Sequence, residues 1–304
     1  MTSPSCKDVN EIGLPMHGFG TYQSSLEEAI SSIGNAILSG YRHIDTAELY
    51  KNEAAVGTLW SSDKVTISRP DLFITTKLWP VKDMKMDENS GKTYEETMQS
   101  CLVSLTEMKL EYIDLYLIHA PIAKHTRVEQ WKAFIELKKQ GKVKHIGTSN
   151  YAIHHLKEIE DAGLCMPEVN QLELHPLCQR RELNEYMKRH NILPIAYSSL
   201  APLGTWRAEE NQGGSATVTQ RQTSDDTIQE IAKRVGKSAA QVLLRWGIQK
   251  GFAIIPKSSK MERIQANYDI YDFELGEQDM SILNEMDQNK CFAWPAGMDP
   301  LQMP

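Results

Sequence analysis

The sequence predicts an α/β chain closed into a (β/α)8 barrel, and three observations carry that prediction. Short apolar runs rich in β-branched residues alternate with helical patterns along the whole length, as repeated βα units do around a parallel sheet. Eight such runs can be counted, near residues 17–22, 42–46, 72–77, 113–119, 144–149, 167–172, 193–198 and 252–256. No linker-like stretch divides the 304 residues, so residues 1–304 are expected to form one barrel domain, a size such barrels commonly reach.

After the first run, Leu26, Ala29, Ile30, Ile33 and Ile37 repeat at helical spacing, and Gly40 follows as a C-terminal stop. The second run, in GYRHIDTAELYKNE, ends at Asp45 and passes through a short loop to Tyr50, with Asn52 expected to cap the next helix. The third run, LFITTKLW, ends at Lys77, and the fourth, IDLYLIHAP, ends at His119. Late in the chain Ala239, Val242, Leu243 and Trp246 form a helical face after Gly236, which should cover the barrel. After the last run, Ser259 and Glu262 have capping-box spacing at a helix start. Two stretches read as neither helix nor strand: Pro80 to Lys92, and Ala201 to Thr223 with Gly204, Gly213 and Gly214. Both follow strands and should sit at the C-terminal mouth, where barrel active sites are built.

Composition narrows the function. With 33 basic and 40 acidic residues the net charge is −7, which disfavours nucleic acid or an anionic membrane as partner and favours a small-molecule substrate. The five cysteines, Cys6, Cys101, Cys165, Cys178 and Cys291, are scattered without a CxxC pair, arguing against a disulfide framework and a zinc cage. The opening MTSPSCKDVNE has no apolar core, and no stretch is long and apolar enough to span a bilayer, so a cytoplasmic protein is expected.

Asp45, Tyr50, Lys77 and His119 would converge at one face of the barrel, where together they form a workable proton-transfer set. A free phenol titrates near ~10, and a neighbouring ammonium is expected to lower that value. Lys77 would supply the cation, Asp45 would hold Lys77, His119 would orient a substrate oxygen, and Tyr50 would give the proton. A hydride source is then required. Gly18 and Gly20 begin a G-x-G-x-x-G fingerprint that the sequence does not complete, and no P-loop is present. The last run offers an alternative in AIIPKSSKMERIQAN, where Lys257, Ser258, Lys260 and Arg263 surround a helix start, a natural anion site at a late barrel loop. A metal site from Glu173, His175 and His119 is the weaker reading, because the second run lacks two inward ligands at period-two spacing. Lys139, Lys142 and Lys144 read as a solvated face.

The series GYRHIDTAELYKNEAAVG, FITTKLW, YIDLYLIH, IGTSNY, NQLELHP, AYSSL and IIPKSSKMERIQAN resembles the aldo-keto reductase family in order and spacing, from about Gly18 to Asp287. That resemblance implies a barrel binding extended NADPH, and a catalytic tetrad at Asp45, Tyr50, Lys77 and His119. It implies Ser149, Asn150 and Gln171 on the nicotinamide carboxamide, Tyr197 stacked on the ring, and Ser198 and Leu200 along the pyrophosphate. Lys257, Ser258, Arg263 and Asn267 would clamp the adenosine 2′-phosphate, while Gly20, Thr21, Tyr22 and Asp45 would border the cofactor from the first strand ends. Tyr22, Tyr50, Trp79, His119 and Ala120 would face the carbonyl substrate.

Departures are also visible. Ala120 stands where many members have Trp, which would make the pocket roomier, and Ser199 replaces a frequent Pro. Ala266 replaces an acidic residue that often touches adenine, and the chain continues only briefly past Trp294, without a long lid. A monomer is the family expectation. A low-turnover NADPH-binding sensor or structural barrel is the competing reading, against which the intact tetrad counts.

Overall fold

The computed structural model describes residues 12–62, 67–83, 87–203, 218–294 and 298–304, with backbone alone over 218–225. Eight parallel strands follow one another in chain order: β1 (Phe19–Gly20), β2 (His43–Asp45), β3 (Phe73–Leu78), β4 (Ile113–Ile118), β5 (Val143–Ser149), β6 (Val169–Glu173), β7 (Leu193–Tyr197) and β8 (Ala253–Ile254). The ring closes because β8 returns to the start of the chain: Gly18 N donates to Ile254 O at 2.8 Å, and Ile254 N donates to Met16 O at 2.8 Å. Gly20 permits this approach, since a Cβ there would lie 2.9 Å from the Ile255 carbonyl oxygen. Among the described residues, helices α1 (Leu26–Leu38), α2 (Ala54–Gly57), α3 (Tyr94–Glu107), α4 (Arg127–Lys139), α5 (Ile153–Asp161), α6 (Arg181–Arg189), α7 (Val218–Val235) and α8 (Ala239–Gln249) connect the strands. Two more, α9 (Met261–Tyr268) and α10 (Glu277–Glu285), follow β8. The eight expected strands are therefore found, in the order and architecture the sequence predicts.

Period-two alternation sorts the strand residues into two layers. Ile44, Ile74, Tyr116, Ile118, Leu172, Ala196 and Ile254 point outward into the main core beneath the helices. Phe73, Leu115, Leu117, Val169, Ile195 and Ala253 fill the barrel interior, joined by Ile12 from the start of the described chain. The same inward series continues upward along each strand to the mouth. Thus Phe73 and Thr75 lead to Lys77, Leu115 and Leu117 to His119, and Val169 to Gln171.

Helix α1 begins with a complete capping box of Ser25 and Glu28 and ends near Gly40, whose φ of 106° is open mainly to glycine. Its buried face is Ala29, Ser32, Ile33, Ala36 and Ile37, whereas Leu26 and Ile30, expected on it, are exposed. Ile30 lies about 100° around the helix from Ala29, past the edge of the contact, and Leu26 sits in the first turn. Helix α8 buries Ala239, Val242, Leu243 and Trp246 as expected, after a Ser238–Gln241 capping box.

Two expected caps are absent. Asn52 is not a side-chain cap of α2. Its amide instead donates to Thr21 O at 3.0 Å and Ser24 O at 3.1 Å, and its carbonyl oxygen accepts from Thr46 Oγ1 at 2.9 Å, tying the β1 and β2 loops together. Helix α9 starts after Lys260 without a side-chain cap, and Ser258 rather than Ser259 bonds the Lys260 amide, at 3.2 Å. Of the stretch from Ala201 to Thr223, Ala201–Leu203 forms a 3-10 turn and Val218 onward is helix, while 204–217, with its three glycines, lies outside the described residues. Cys6 lies outside them as well. Of the Pro80 to Lys92 stretch, 84–86 lies outside the described residues; the rest is tied at both ends, Val81 bridging Gly91 and the Gln130 amide donating to Pro80 O at 2.7 Å and Lys92 O at 3.0 Å. No helix among the described residues is long and apolar enough to cross a membrane.

Candidate active site

At the C-terminal mouth lies a pocket of about 510 Å³ that gathers Asp45, Tyr50 and His119 with Tyr22, Trp79, Ser149, Asn150, Gln171, Tyr197, Ser198, Leu200 and Lys257. Lys77 sits just beneath it, fully buried. Parallel register contributes to the convergence: Asp45 pairs with Gly20 and with Thr75, beyond which Lys77 is the next inward position of β3, and Ser149 pairs with Gln171. Tyr50 arrives from a 3-10 turn, Glu48–Tyr50, ended by Lys51 at φ 58°.

The Lys77 ammonium has three acceptors, which uses all three of its protons. It lies 2.5 Å from Asp45 Oδ1, 2.8 Å from Thr46 O and 3.4 Å from the Tyr50 hydroxyl. Lys77 donates to the Tyr50 oxygen, which leaves the phenolic proton available to another acceptor. The Tyr50 ring also packs 5.0 Å from Tyr22 and edge-on to His119 at 5.6 Å.

Burial dominates the ionisation of this cluster. It lowers the Lys77 ammonium despite the opposing pull of Asp45, and it lowers His119 well below the usual imidazole range, with Lys77 adding to the effect. His119 is therefore neutral at pH 7, and its Nδ1 has no hydrogen-bond partner among the described residues. Tyr50 departs from expectation. Burial, then Asp45 and Tyr22, hold its phenol well above the ordinary value, so the lowering expected from Lys77 is outweighed.

On the other side of the pocket, polar groups hold one another. Ser149 Oγ donates to Gln171 O at 2.9 Å, the Asn150 amide donates to His119 O at 2.9 Å, and Tyr197 OH donates to Asn150 Oδ1 at 2.6 Å. Asn150 and Ser198 both have left-handed backbones, φ 62° and 53°, a local cost characteristic of functional sites. Thr21 lies beneath the rim, its backbone amide 3.0 Å from Asp45 O. Lys257 Nζ reaches Gln23 O at 3.4 Å.

Not every expected residue joins the pocket. Ala120 is fully buried in an apolar cluster with Trp79, Val81, Ile122 and Ala123, behind the lining rather than on it. Ser258, Arg263 and Asn267 lie beyond the lining, on and before α9, with Arg263 exposed and Asn267 buried. Glu173 and His175 pair with each other at 3.0 Å, and Glu173 turns to the chain beyond α10. Among the described residues no group of three or more His, Cys, Asp or Glu side chains is placed to hold a metal ion. Leu49, Ala293 and Trp294 line the pocket without having been singled out for it. Leu49 could have been found beside Tyr50, but nothing near Trp294 in sequence says where the tail docks.

Comparison with known proteins bears on this arrangement. Residues 11–288 match the model of the Aldo/keto reductase family. The chain is 38% identical over 290 residues to methylglyoxal reductase DkgA of Escherichia coli K12, covering 95% of this chain and 94% of that protein. Among solved structures it resembles an aldo/keto reductase from Brucella melitensis, with a TM-score of 0.77 and 38% identity over 94% of this chain and 100% of that one. A variant of Gox0644 solved in complex with NADPH has a TM-score of 0.77 and 34% identity, covering 96% of this chain and 95% of that one.

Proposed function

The chain belongs to the aldo/keto reductase family of oxidoreductases, and from that membership we propose that it reduces an aldehyde or ketone to the alcohol with hydride from NADPH, Tyr50 giving the proton. The observation that carries this reading is the bridge made by Lys77, 2.5 Å from Asp45 and 3.4 Å from the Tyr50 hydroxyl. Lys77 donates to the Tyr50 oxygen, so the phenolic proton is left available to an acceptor that enters the pocket.

The residues present fit a dinucleotide by the chemistry of their donors. Ser149, Asn150 and Gln171 offer amide and hydroxyl groups for a carboxamide, Tyr197 offers a ring face, and Ser198 and Leu200 continue along one wall with Gly20, Thr21 and Tyr22 opposite. Lys257, Ser258, Arg263 and Asn267 would hold the 2′-phosphate, where guanidinium geometry suits a bidentate anion. When bound, NADPH supplies a hydride to the carbonyl carbon.

The remaining chemistry belongs to this chain. Neutral His119 and the Tyr50 hydroxyl orient the carbonyl oxygen between them. As negative charge grows on that oxygen it becomes far more basic than a phenolate, so even a raised phenol transfers its proton readily. Lys77 then stabilises the resulting phenolate, and Asp45 keeps Lys77 charged. Trp79, Tyr22, Leu49 and Trp294 surround the substrate and exclude water. The whole chain would work as one barrel domain and as a monomer.

The test is loss of absorbance at the reduced-nicotinamide band with NADPH or NADH and a panel of aromatic, aliphatic and dicarbonyl aldehydes. Aldehyde-dependent oxidation that favours NADPH is expected. Tight NADPH binding without oxidation of any panel member would contradict the reading and favour a non-catalytic barrel.

A further inference from the structure

The Glu173 carboxylate is buried at the C-terminal end of β6, takes no part in the chemistry above, and is not among the residues lining the pocket. Its Oε1 accepts from the Phe292 amide at 2.6 Å and its Oε2 from the Ala293 amide at 3.0 Å. His175 Nε2 lies 3.0 Å from Oε1, and its ring stacks on Phe292 at 5.3 Å. A buried carboxylate is costly unless its lone pairs are matched by donors, and here two backbone N–H groups and an imidazole match them. The segment so held is the one that brings Ala293 and Trp294 to the pocket wall. The Trp294 indole packs against the Trp79 and Ala120 cluster and donates to the Tyr197 hydroxyl at 3.0 Å.

We infer that Glu173 is a positioning residue for substrate selection: its carboxylate latches the backbone at Phe292 and Ala293 and thereby fixes Trp294 as a wall of the carbonyl pocket. The selective effect rests on the reductase reading, whereas the latch itself does not. Other contacts keep the tail attached when the latch is cut. Leu177 O accepts from Gln288 N at 3.1 Å and Lys290 N at 3.0 Å, and Arg180 pairs with Asp299 at 2.8 Å. Glu173→Gln should therefore loosen the segment around Trp294 without releasing the whole tail. An amide in place of the carboxylate turns a donor toward one of the two N–H groups, which thereby loses its acceptor in residue 173.

The experiment is hydrogen–deuterium exchange of wild type and E173Q, read on a peptide covering 288–294 and on α8 as an internal control. In parallel, kcat and KM are measured for a bulky aromatic aldehyde and a small dicarbonyl. E173Q should speed exchange in 288–294 about tenfold, the scale of one charge-assisted hydrogen bond, and leave α8 as it is. KM for the aromatic aldehyde should rise about tenfold, well beyond any fall in kcat and beyond the change for the dicarbonyl. Trp294→Phe should reproduce that KM rise while exchange at 292–293 stays slow. Unchanged exchange at 288–294 in E173Q overturns the latch whatever the activity. Equal KM changes for the two carbonyls overturn the selective role. A wild type that reduces no carbonyl defeats the reductase reading, and exchange still decides the latch. If E173Q does not fold, the Phe292 and Ala293 amides of the wild type must exchange at least about tenfold slower than in an unstructured peptide of the same sequence, or the latch is refuted.

Discussion

Gln171 Nε2 donates to Asp45 Oδ2 at 2.8 Å, joining β6 to β2 across the width of the barrel mouth. The other Asp45 oxygen takes the Lys77 ammonium at 2.5 Å. Asp45 thus stands between the polar groups on one side of the pocket and the Lys77–Tyr50 pair on the other, so its charge should matter to both stability and turnover.

Asp45→Asn keeps the shape and removes the charge, stranding a fully buried ammonium. Breaking one side of a buried pair costs about 3–5 kcal/mol, and loss of an organised acid lowers turnover about 10²- to 10⁴-fold. Urea unfolding and steady-state rates check the two effects. Unaltered unfolding and turnover would mean that Lys77 does not depend on Asp45.

The lowered His119 makes a spectroscopic prediction. Its ring should show no titration near the ordinary value of 6.5, and nitrogen shifts of labelled histidine should report a neutral imidazole throughout pH 6 to 8. A His119 ring that charges near 6.5 would change its role from a neutral to a cationic electrophile.

Much of this site is legible in the sequence because period-two runs end in unusual residues. Lys77 and His119 close the otherwise apolar runs LFITTKLW and IDLYLIHAP, each at the next inward position beyond a register partner: Asp45 pairs with Thr75, two residues before Lys77, and Lys77 pairs with Leu117, two residues before His119. What is hidden depends on contacts between distant segments. Glu173 reads as a metal-ligand candidate, yet its partners are backbone amides more than a hundred positions later. Asn52 and Ser259 have capping chemistry, but tertiary partners and the local turn decide otherwise. The direction of the Tyr50 shift is also hidden, because sequence shows the neighbouring cation and not the depth of burial that outweighs it.

Acid should unfold this protein steeply. Burial lowers His17 to about 3, His43 to about 4 and His155 to about 3, each from 6.5. Their stability contribution is full above pH 6.5 and is lost as pH falls toward 3, because the unfolded chain binds protons that the folded one refuses. Near pH 5 these three and His119, lowered in the same direction, together give a slope of roughly 5 kcal/mol per pH unit. His17 stacks on Tyr268 at 5.2 Å, and neither of its ring nitrogens has a partner among the described residues. His17→Phe should keep the stack and make the slope about one quarter shallower. Urea unfolding at pH 4.5 to 7 measures it, and equal slopes would mean that His17 does not resist protonation.

Arg263, exposed on α9, would distinguish the two nicotinamide cofactors if it holds the 2′-phosphate as proposed. Arg263→Ala should weaken NADPH binding about tenfold or more, the scale of one charge-assisted pair, and change NADH binding little. Fluorescence titration checks this, and equal losses for both cofactors would remove the proposed 2′-phosphate clamp.

The most direct test of the central claim is single-turnover oxidation of bound NADPH by an aldehyde in wild type and Tyr50→Phe, with NADPH affinity measured on the same samples. Tyr50 as proton donor predicts NADPH affinity close to wild type in the variant and a hydride-transfer rate about 10²- to 10⁴-fold lower. A Tyr50→Phe protein that binds NADPH and reduces the aldehyde at the wild-type rate would contradict it.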